Sequence, residues 1–144
     1  MNRDMAAESM TERIEKLRSV PLFSGLSDSS LEQIIDHATE FEASPGHVLV
    51  QPNQPGAGLF VIEEGKVTVD LRDRELELGE GEFFGELAML DDSITHTGRV
   101  CAATQLKALA ISRDDFAELL ESEPTIARSM LRVLAKRVAQ GADH

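Results

Sequence analysis

The spacing of hydrophobic residues changes along the chain. Near the N-terminus, apolar residues recur every three or four positions in two segments, a period that predicts amphipathic helices. The first helix is predicted from Thr11 to Ser19, and the second begins after Ser27, a suitable N-cap. An apolar link, residues 20–26, is predicted to pack against the domain. Residues 1–10 show no period and are predicted to form a flexible tail.

A different rhythm runs from Thr39 to Ser112. Short runs of Val, Leu, Phe and Ile alternate with turn residues at intervals of roughly 8–12 positions, which is typical of an all-β sandwich or barrel. The predicted strands are Glu40–Ala43, Val48–Gln51, Gly58–Glu63, Lys66–Leu71, Glu75–Leu78, Phe83–Phe84, Gly98–Ala103 and Lys107–Ser112. Turns are predicted at Pro52–Gly56 and Arg72–Arg74. Because no strand-helix-strand alternation interrupts these runs, the pattern favours a double-sheet jelly roll.

The helical period returns after the strands. A short helix is predicted from Arg113 to Leu120, and Pro124 begins a longer one. One face of this last helix carries Ile126, Met130, Leu134 and Val138, while Arg128, Arg132, Lys136 and Arg137 occupy the others. The apolar face is compatible with packing on the chain's own core and with a homodimer through the 125–139 helix. The basic residues are interpreted as a solvated face.

These elements define one expected fold class: mainly β with flanking α. We expect a double-stranded β-helix (jelly roll), residues 39–112, between N-terminal helices in 11–38 and C-terminal helices in 113–140. A chain of 144 residues has the size of a single domain, here predicted to span 11–144.

The charge balance narrows the range of partners. A net charge of −12 opposes nonspecific binding to nucleic acid and to anionic membranes, so we expect neither from this chain alone. No apolar run approaches the roughly 18 residues that a membrane span needs. The single cysteine, Cys101, cannot form an internal disulfide and points to a reducing, cytoplasmic location.

The richest candidate for binding chemistry lies between two of the predicted strands. Gly81 and Gly85 bracket Phe83 and Phe84, and an apolar, helix-like run begins at Glu86. Glycine lets the backbone approach a ligand closely, and a helix N-terminus offers unpaired N–H groups to an anion. Glycine punctuation alone would equally fit an ordinary strand-to-helix turn.

The longer string around these glycines adds a family resemblance. Residues 78–90, read as LGEGEFFGELAML, resemble the phosphate-binding cassette of the cyclic-nucleotide-binding domain family, which includes catabolite-activator-type regulators and kinase regulatory subunits. Residues 46–65 resemble the glycine-marked first half of the same domain, with Asn53 where a turn glycine is usual. The resemblance implies a jelly roll that ends in helices of the B and C type.

The resemblance also implies a ligand, cyclic AMP or cyclic GMP, and no further cofactor. The ligand-binding residues carried over from the family pattern are Phe84, Gly85, Glu86, Leu87, Ala88, His96, Thr97 and Gly98. Backbone groups of Gly85, Leu87 and Ala88 would contact the phosphate, and Glu86 would accept from the ribose 2′-hydroxyl. For Glu86 the alternative is a carboxylate that interacts with the helix dipole without any ligand.

One residue departs from the family pattern. Aligned on Val100-Cys101-Ala102, the position of the phosphate-binding arginine holds His96. A histidine with an ordinary pKa near 6.5 is mostly neutral at pH 7 and lacks the bidentate fork of arginine. Losing that charge-assisted hydrogen bond costs roughly 1.5–3 kcal/mol. Arg99 is a candidate for phosphate rescue, but alternate strand residues face opposite sides, so rescue would need a bulge at Gly98.

Two functions follow as expectations. The first is a non-enzymatic ligand-sensing module that binds a cyclic nucleotide, or a related phosphate ligand, weakly and relays binding through the C-terminal helix. The second is a degenerate domain without a nucleotide ligand that acts in protein interaction or dimerisation. An enzyme is disfavoured because no catalytic motif appears. A metal site is disfavoured because the histidines are scattered at positions 37, 47, 96 and 144.

Overall fold

Two antiparallel sheets form the body of the protein in a computed structural model that describes residues 9–51, 58–70, 74–85 and 98–139. One sheet has the strand order β1-β8-β3-β6, and the other has β2-β7-β4-β5. The strands are β1 Thr39–Ala43, β2 Val48–Val50, β3 Gly58–Glu64, β4 Val67–Asp70, β5 Glu75–Leu78, β6 Phe83–Phe84, β7 Arg99–Ala102 and β8 Leu106–Ser112. Sequence neighbours such as β1 and β2 lie in different sheets, as the jelly-roll prediction required, and that fold prediction is confirmed.

Helices flank the sheets at both ends of the chain. They are α1 Met10–Arg18, a 3-10 turn Pro21–Phe23, α2 Asp28–His37, α3 Arg113–Ser122 and α4 Pro124–Ala139. Serine hydroxyls accept backbone N–H bonds at the start of three helices, which satisfies donors that the helix itself cannot. At α1 the Ser9 hydroxyl and the Glu12 carboxylate form a reciprocal capping box, so the helix begins at Met10, one residue earlier than predicted.

Two hydrophobic cores share the strands β3 and β8. Leu59 and Val61 face the helices, together with Leu109 of β8, while Ile62 points between the two sheets with Ala108. This division follows from the period of two along a strand, with both faces of β3 and β8 covered. We call the sheet β1-β8-β3-β6 the helix-side sheet, because its outer face packs against α1–α4.

Most element boundaries differ from the predicted ones by one or two residues. The strand β7 begins at Arg99 instead of Gly98, and β3 continues to Glu64. The helix α3 continues to Ser122, where Pro124 prevents further extension. The predicted turn Pro52–Gly56 and the tip of the 72–74 hairpin lie outside the described residues. The pairing of Asp70 with Glu75 is nevertheless that of a tight hairpin between β4 and β5. The predicted domain limits stay a prediction.

The last helix packs on the chain's own core. Ile126 and Met130 are buried in the helix-side cluster, and Leu134 packs against it. Leu131 is 67% exposed, the larger of two exposed large hydrophobic side chains within the described residues. Within residues 9–51, 58–70, 74–85 and 98–139, no helix is both long enough and apolar enough to cross a membrane.

Candidate ligand site

Gly85 holds a backbone position that no other residue fits easily. It directly follows β6 with φ +90°, a left-handed conformation that costs a residue with a Cβ roughly 1–2 kcal/mol. A Cβ at this position would lie 2.7 Å from the carbonyl oxygen of Gly58. Gly58 is equally confined, because its own Cβ would lie 2.7 Å from the carbonyl oxygen of Ile111. Gly85, the last residue before the 86–97 segment, therefore lies in close contact with the backbone of β3.

The turn before β6 fixes that entry point. The N–H of Gly81 donates to the carbonyl oxygen of Ile62 at 2.8 Å, and the N–H of Ile62 donates to Glu82 at 2.9 Å. The carboxylate of Glu82 accepts from the N–H of Gly79 at 2.7 Å, which closes the turn on itself. The glycines and acidic residues of 79–82 thus anchor the segment to β3 before it reaches Gly85.

An aromatic group lies beside this entry point. The rings of Phe60 and Phe84 stack with centroids 4.9 Å apart, and Phe41 meets Phe60 edge-on at 5.9 Å. Phe41 and Phe60 remain partly exposed, whereas Phe84 is buried between the sheets. The stack holds β6 on the edge of the helix-side sheet, although this strand has only two residues.

The second segment of the predicted site returns on the opposite sheet. Gly98 and Val100 are buried, while Arg99 between them is exposed and pairs across the sheet with Asp70. The local irregularity lies in β2, between Val48 and Val50, and not in β7. A phosphate contact by Arg99 would therefore require a rearrangement of β7.

The described residues include four of the nine positions predicted from the sequence. Phe84 and Gly85 end the first segment, and Gly98 and Arg99 start the second. The remaining five positions are Glu86, Leu87, Ala88, His96 and Thr97, and they lie outside the described residues. The roles predicted for them stay predictions.

A pair of carboxyl groups on the helix-side sheet was not predicted from the sequence. Burial, followed by a hydrogen bond with Glu40, raises the pKa of Glu63 to about 7. Burial opposes ionisation of Glu40 as well, but the hydrogen bond with Glu63 and the positive charge of Lys107 lower its pKa overall. The Lys107 ammonium lies 3.7 Å from Glu40. The alternation of Leu59, Val61 and Glu63 on one strand face was the available signal.

Comparison with known proteins now identifies the class. The family profile described as "Cyclic nucleotide-binding domain" matches residues 40–123, which is more than half of the chain. The chain is also 34% identical over 119 residues to a cyclic nucleotide-gated potassium channel from Rhizobium etli, covering 83% of this chain and 33% of the channel. This chain belongs to the cyclic nucleotide-binding domain family, as the sequence resemblance indicated.

Solved structures agree with this assignment. The regulatory subunit of a cAMP-independent protein kinase A from Trypanosoma brucei matches with a TM-score of 0.76 and 26% identity, over 90% of this chain and 48% of that one. The catabolite activator protein of Thermus thermophilus matches with a TM-score of 0.73 and 25% identity, over 84% of this chain and 59% of that one. The chain thus spans about a third of the channel and about half of these two proteins.

Proposed function

We propose that this domain is a non-enzymatic sensor that binds cyclic AMP, cyclic GMP or a related phosphate ligand between residues 85–88 and His96–Thr97. The observation that carries the proposal is the family match over residues 40–123, within which the sequence has Glu86 directly after the left-handed Gly85. Backbone N–H groups there would bind the phosphate, and Glu86 would accept from the ribose hydroxyl. A cytoplasmic location is part of the proposal and rests on the single cysteine.

The expected affinity is low because His96 replaces the family arginine. A triple mutant of the regulatory subunit of the cAMP-independent kinase from Trypanosoma brucei, in which one of the three substitutions replaces threonine by arginine, is bound to cAMP. By analogy, the arginine position of this chain would control whether a cyclic nucleotide binds at neutral pH.

A backbone route would connect the site to the C-terminal helices. Gly85 presses on Gly58, which pairs with Ser112 at the end of β8. The Ser112 hydroxyl in turn accepts from the N–H of Asp115 at 3.1 Å and caps α3, which contacts α4. Ligand-dependent movement at Gly85 would therefore reach α3 and α4 through three adjacent backbone segments. Spatial contiguity supports this relay, and a measured coupling would be its proof.

A second candidate function is an interaction module that has lost its nucleotide ligand. Two observations favour it: the histidine at position 96, and the 67% exposure of Leu131 on α4. Arg128 and Arg132 flank this leucine and are exposed. In this reading α4 mediates homodimerisation through residues 125–139 in the absence of any ligand.

Calorimetry with cyclic AMP and cyclic GMP separates the two functions. The parent and His96→Arg are titrated at about pH 6 and about pH 7.5, on either side of the ordinary histidine pKa. If His96 contacts phosphate, the parent binds more tightly at the lower pH. The His96→Arg variant gains roughly ten- to a hundredfold affinity at the higher pH, the value of one charge-assisted hydrogen bond.

The matched control is His47→Arg, which adds the same charge at an exposed turn position. It should bind like the parent at both pH values. Absence of binding heat in both parent and His96→Arg, together with an unchanged dimer mass, would refute the sensor function and leave the interaction module. Heat in His96→Arg alone would show a preserved pocket that has lost its ligand through this one substitution.

A further inference from the structure

A small cleft is formed by α2, α3 and the end of β8. Its cavity volume is about 50 Å³. Buried Ile34 and Ile111, with half-buried Leu119, supply apolar walls. Asp115 and Glu118 of α3 line the same cleft and present carboxylates to it.

Both carboxylates interact with His37 through their charge. Within the described part of the chain, neither Asp115 nor Glu118 forms a salt bridge or a side-chain hydrogen bond. Their field acts on His37, whose Nδ1 donates to the Gln33 carbonyl oxygen at 2.9 Å. That hydrogen bond raises the pKa of His37, and the negative charges of Asp115, Glu118 and Asp36 raise it further. His37 lines the cleft as well, so the cleft combines two carboxylates and one histidine with an apolar floor.

We propose that this cleft binds an arginine side chain from a basic segment of a partner protein. The aliphatic stem of arginine would cover Ile34, Ile111 and Leu119, and the guanidinium would bridge Asp115 and Glu118. Arginine suits the site better than lysine because its planar fork can serve two carboxylates at once. This proposal does not depend on the function proposed for the ligand site.

The net charge of −12 decides between a partner protein and a second copy. The α4 helix exposes Arg128, Arg132 and Lys136, which would complement the cleft of a second copy. However, two copies of −12 repel one another as they approach, whereas a basic partner is attracted from a distance. The charge complementarity of this chain thus favours a basic segment from a different protein.

NMR titration tests the proposal with a defined probe, the peptide acetyl-Ala-Ala-Arg-Ala-Ala-amide. The same peptide with lysine or glutamine in place of arginine gives the comparison. We expect saturable amide shifts confined to residues 33–37, 111 and 115–122, in the affinity order Arg, Lys, Gln. In Asp115→Asn/Glu118→Gln, arginine-peptide affinity should fall roughly tenfold or more, because both charge-assisted contacts are lost.

A charge-matched control lies on the same helix. Asp114→Asn/Glu121→Gln removes two exposed carboxylates that do not line the cleft and should change affinity by less than about twofold. Equal weakening in both double variants would reduce the effect to net charge and overturn the proposal. Shifts that grow with protein concentration alone and vanish in Arg128→Gln/Arg132→Gln would assign the cleft to a second copy, which also overturns it.

Discussion

Glu63→Gln tests the least expected feature of this fold, a carboxyl that retains its proton near neutral pH. Glu63 and Glu40 project from β3 and β1 on either side of β8, where burial and their mutual hydrogen bond raise the pKa of Glu63 from its ordinary 4.5 to about 7. Arg13 and Lys16 of α1 face the same pair, together with Lys107 of β8. Their positive charges offset part of the cost of ionising the two carboxyl groups. Among the residues that the structure describes, the buried Oε1 atom of Glu63 nonetheless has no hydrogen-bond partner.

The direction of the pH dependence follows from proton linkage. Between pH 4.5 and about 7 the folded chain retains a proton on Glu63 that the unfolded chain has released, so stability falls as pH rises through this window. Above about pH 7, the full loss of stability that comes from Glu63 has been reached. Glu40 has a lowered pKa, so its contribution is present above the ordinary value of 4.5 and disappears only at lower pH. The two windows do not overlap.

The magnitude can be bounded from the size of the shift. A displacement from 4.5 to about 7 corresponds to about 3 kcal/mol for a fully buried group. Because Glu63 is only partly buried, solvent screening reduces the expected contribution to on the order of 1–2 kcal/mol. Glutamine retains a donor for the Glu40 carboxylate but cannot ionise. Glu63→Gln should therefore be more stable than the parent by this amount above pH 7 and nearly equal to it near pH 4.5.

Urea unfolding followed by circular dichroism is the suitable assay, because the chain has no Trp or Tyr to serve as a fluorescent probe. Free energies of unfolding are compared at several pH values between about 4.5 and 8. Glu75→Gln removes the same charge from an exposed position on the other sheet and should retain the parent's slope. If the unfolding free energies of the parent and Glu63→Gln run parallel across this range, the interpretation that folded Glu63 retains its proton is wrong.

Two other expectations concern the site backbone and the salt dependence of binding. Gly46 and Gly85 share φ +90°, but a Cβ meets nothing within 4 Å at Gly46 and lies 2.7 Å from a carbonyl oxygen at Gly85. Backbone strain should thus lower the free energy of unfolding of Gly46→Ala, measured in urea, by about 1–2 kcal/mol. For Gly85→Ala the loss should be at least about 1 kcal/mol larger. Equal losses in the two variants would contradict a close contact at Gly85. Raising salt from about 0.05 M to about 0.5 M screens the −12 charge. At the higher salt concentration, the affinity of His96→Arg for cyclic AMP, measured by calorimetry, should stay the same or rise. The affinity of the parent for the arginine peptide, measured by NMR titration, should fall. If both affinities changed in the same direction, this would count against two oppositely charged ligands.

Local patterns were sufficient to predict most of the fold. The apolar run Leu59–Ile62 predicted a strand, and Ser27 predicted the start of α2. These signals are short-range, because side-chain direction and helix capping depend on a few consecutive residues. Boundaries were less exact where a neighbour decides them, as at β3, which continues to Glu64 through an irregular pairing with Lys107.

Long-range contacts could not be predicted in the same way. Gly85 was predicted to let the backbone approach a ligand, but its contact with Gly58 of β3 depends on how β6 pairs with that strand. Similarly, Glu40 and Glu63 meet because β1 and β3 both pair with β8, a topology that no local pattern specifies. The charges around Glu63 come from three further elements: α1, β1 and β8.

The described part of this site consists mostly of backbone contacts and apolar packing. The close contact between Gly58 and Gly85 and the stacking of Phe60 on Phe84 hold β6 on its sheet whether or not a ligand binds. Their presence therefore cannot distinguish a sensor from a domain that has lost its ligand. A phosphate ester requires positive charge or several aligned donors against a protein field of −12, and packing supplies neither. The polar groups of residues 86–97 must decide the question, and for this reason the exchange at His96 separates the functions where changes to the surrounding scaffold would not.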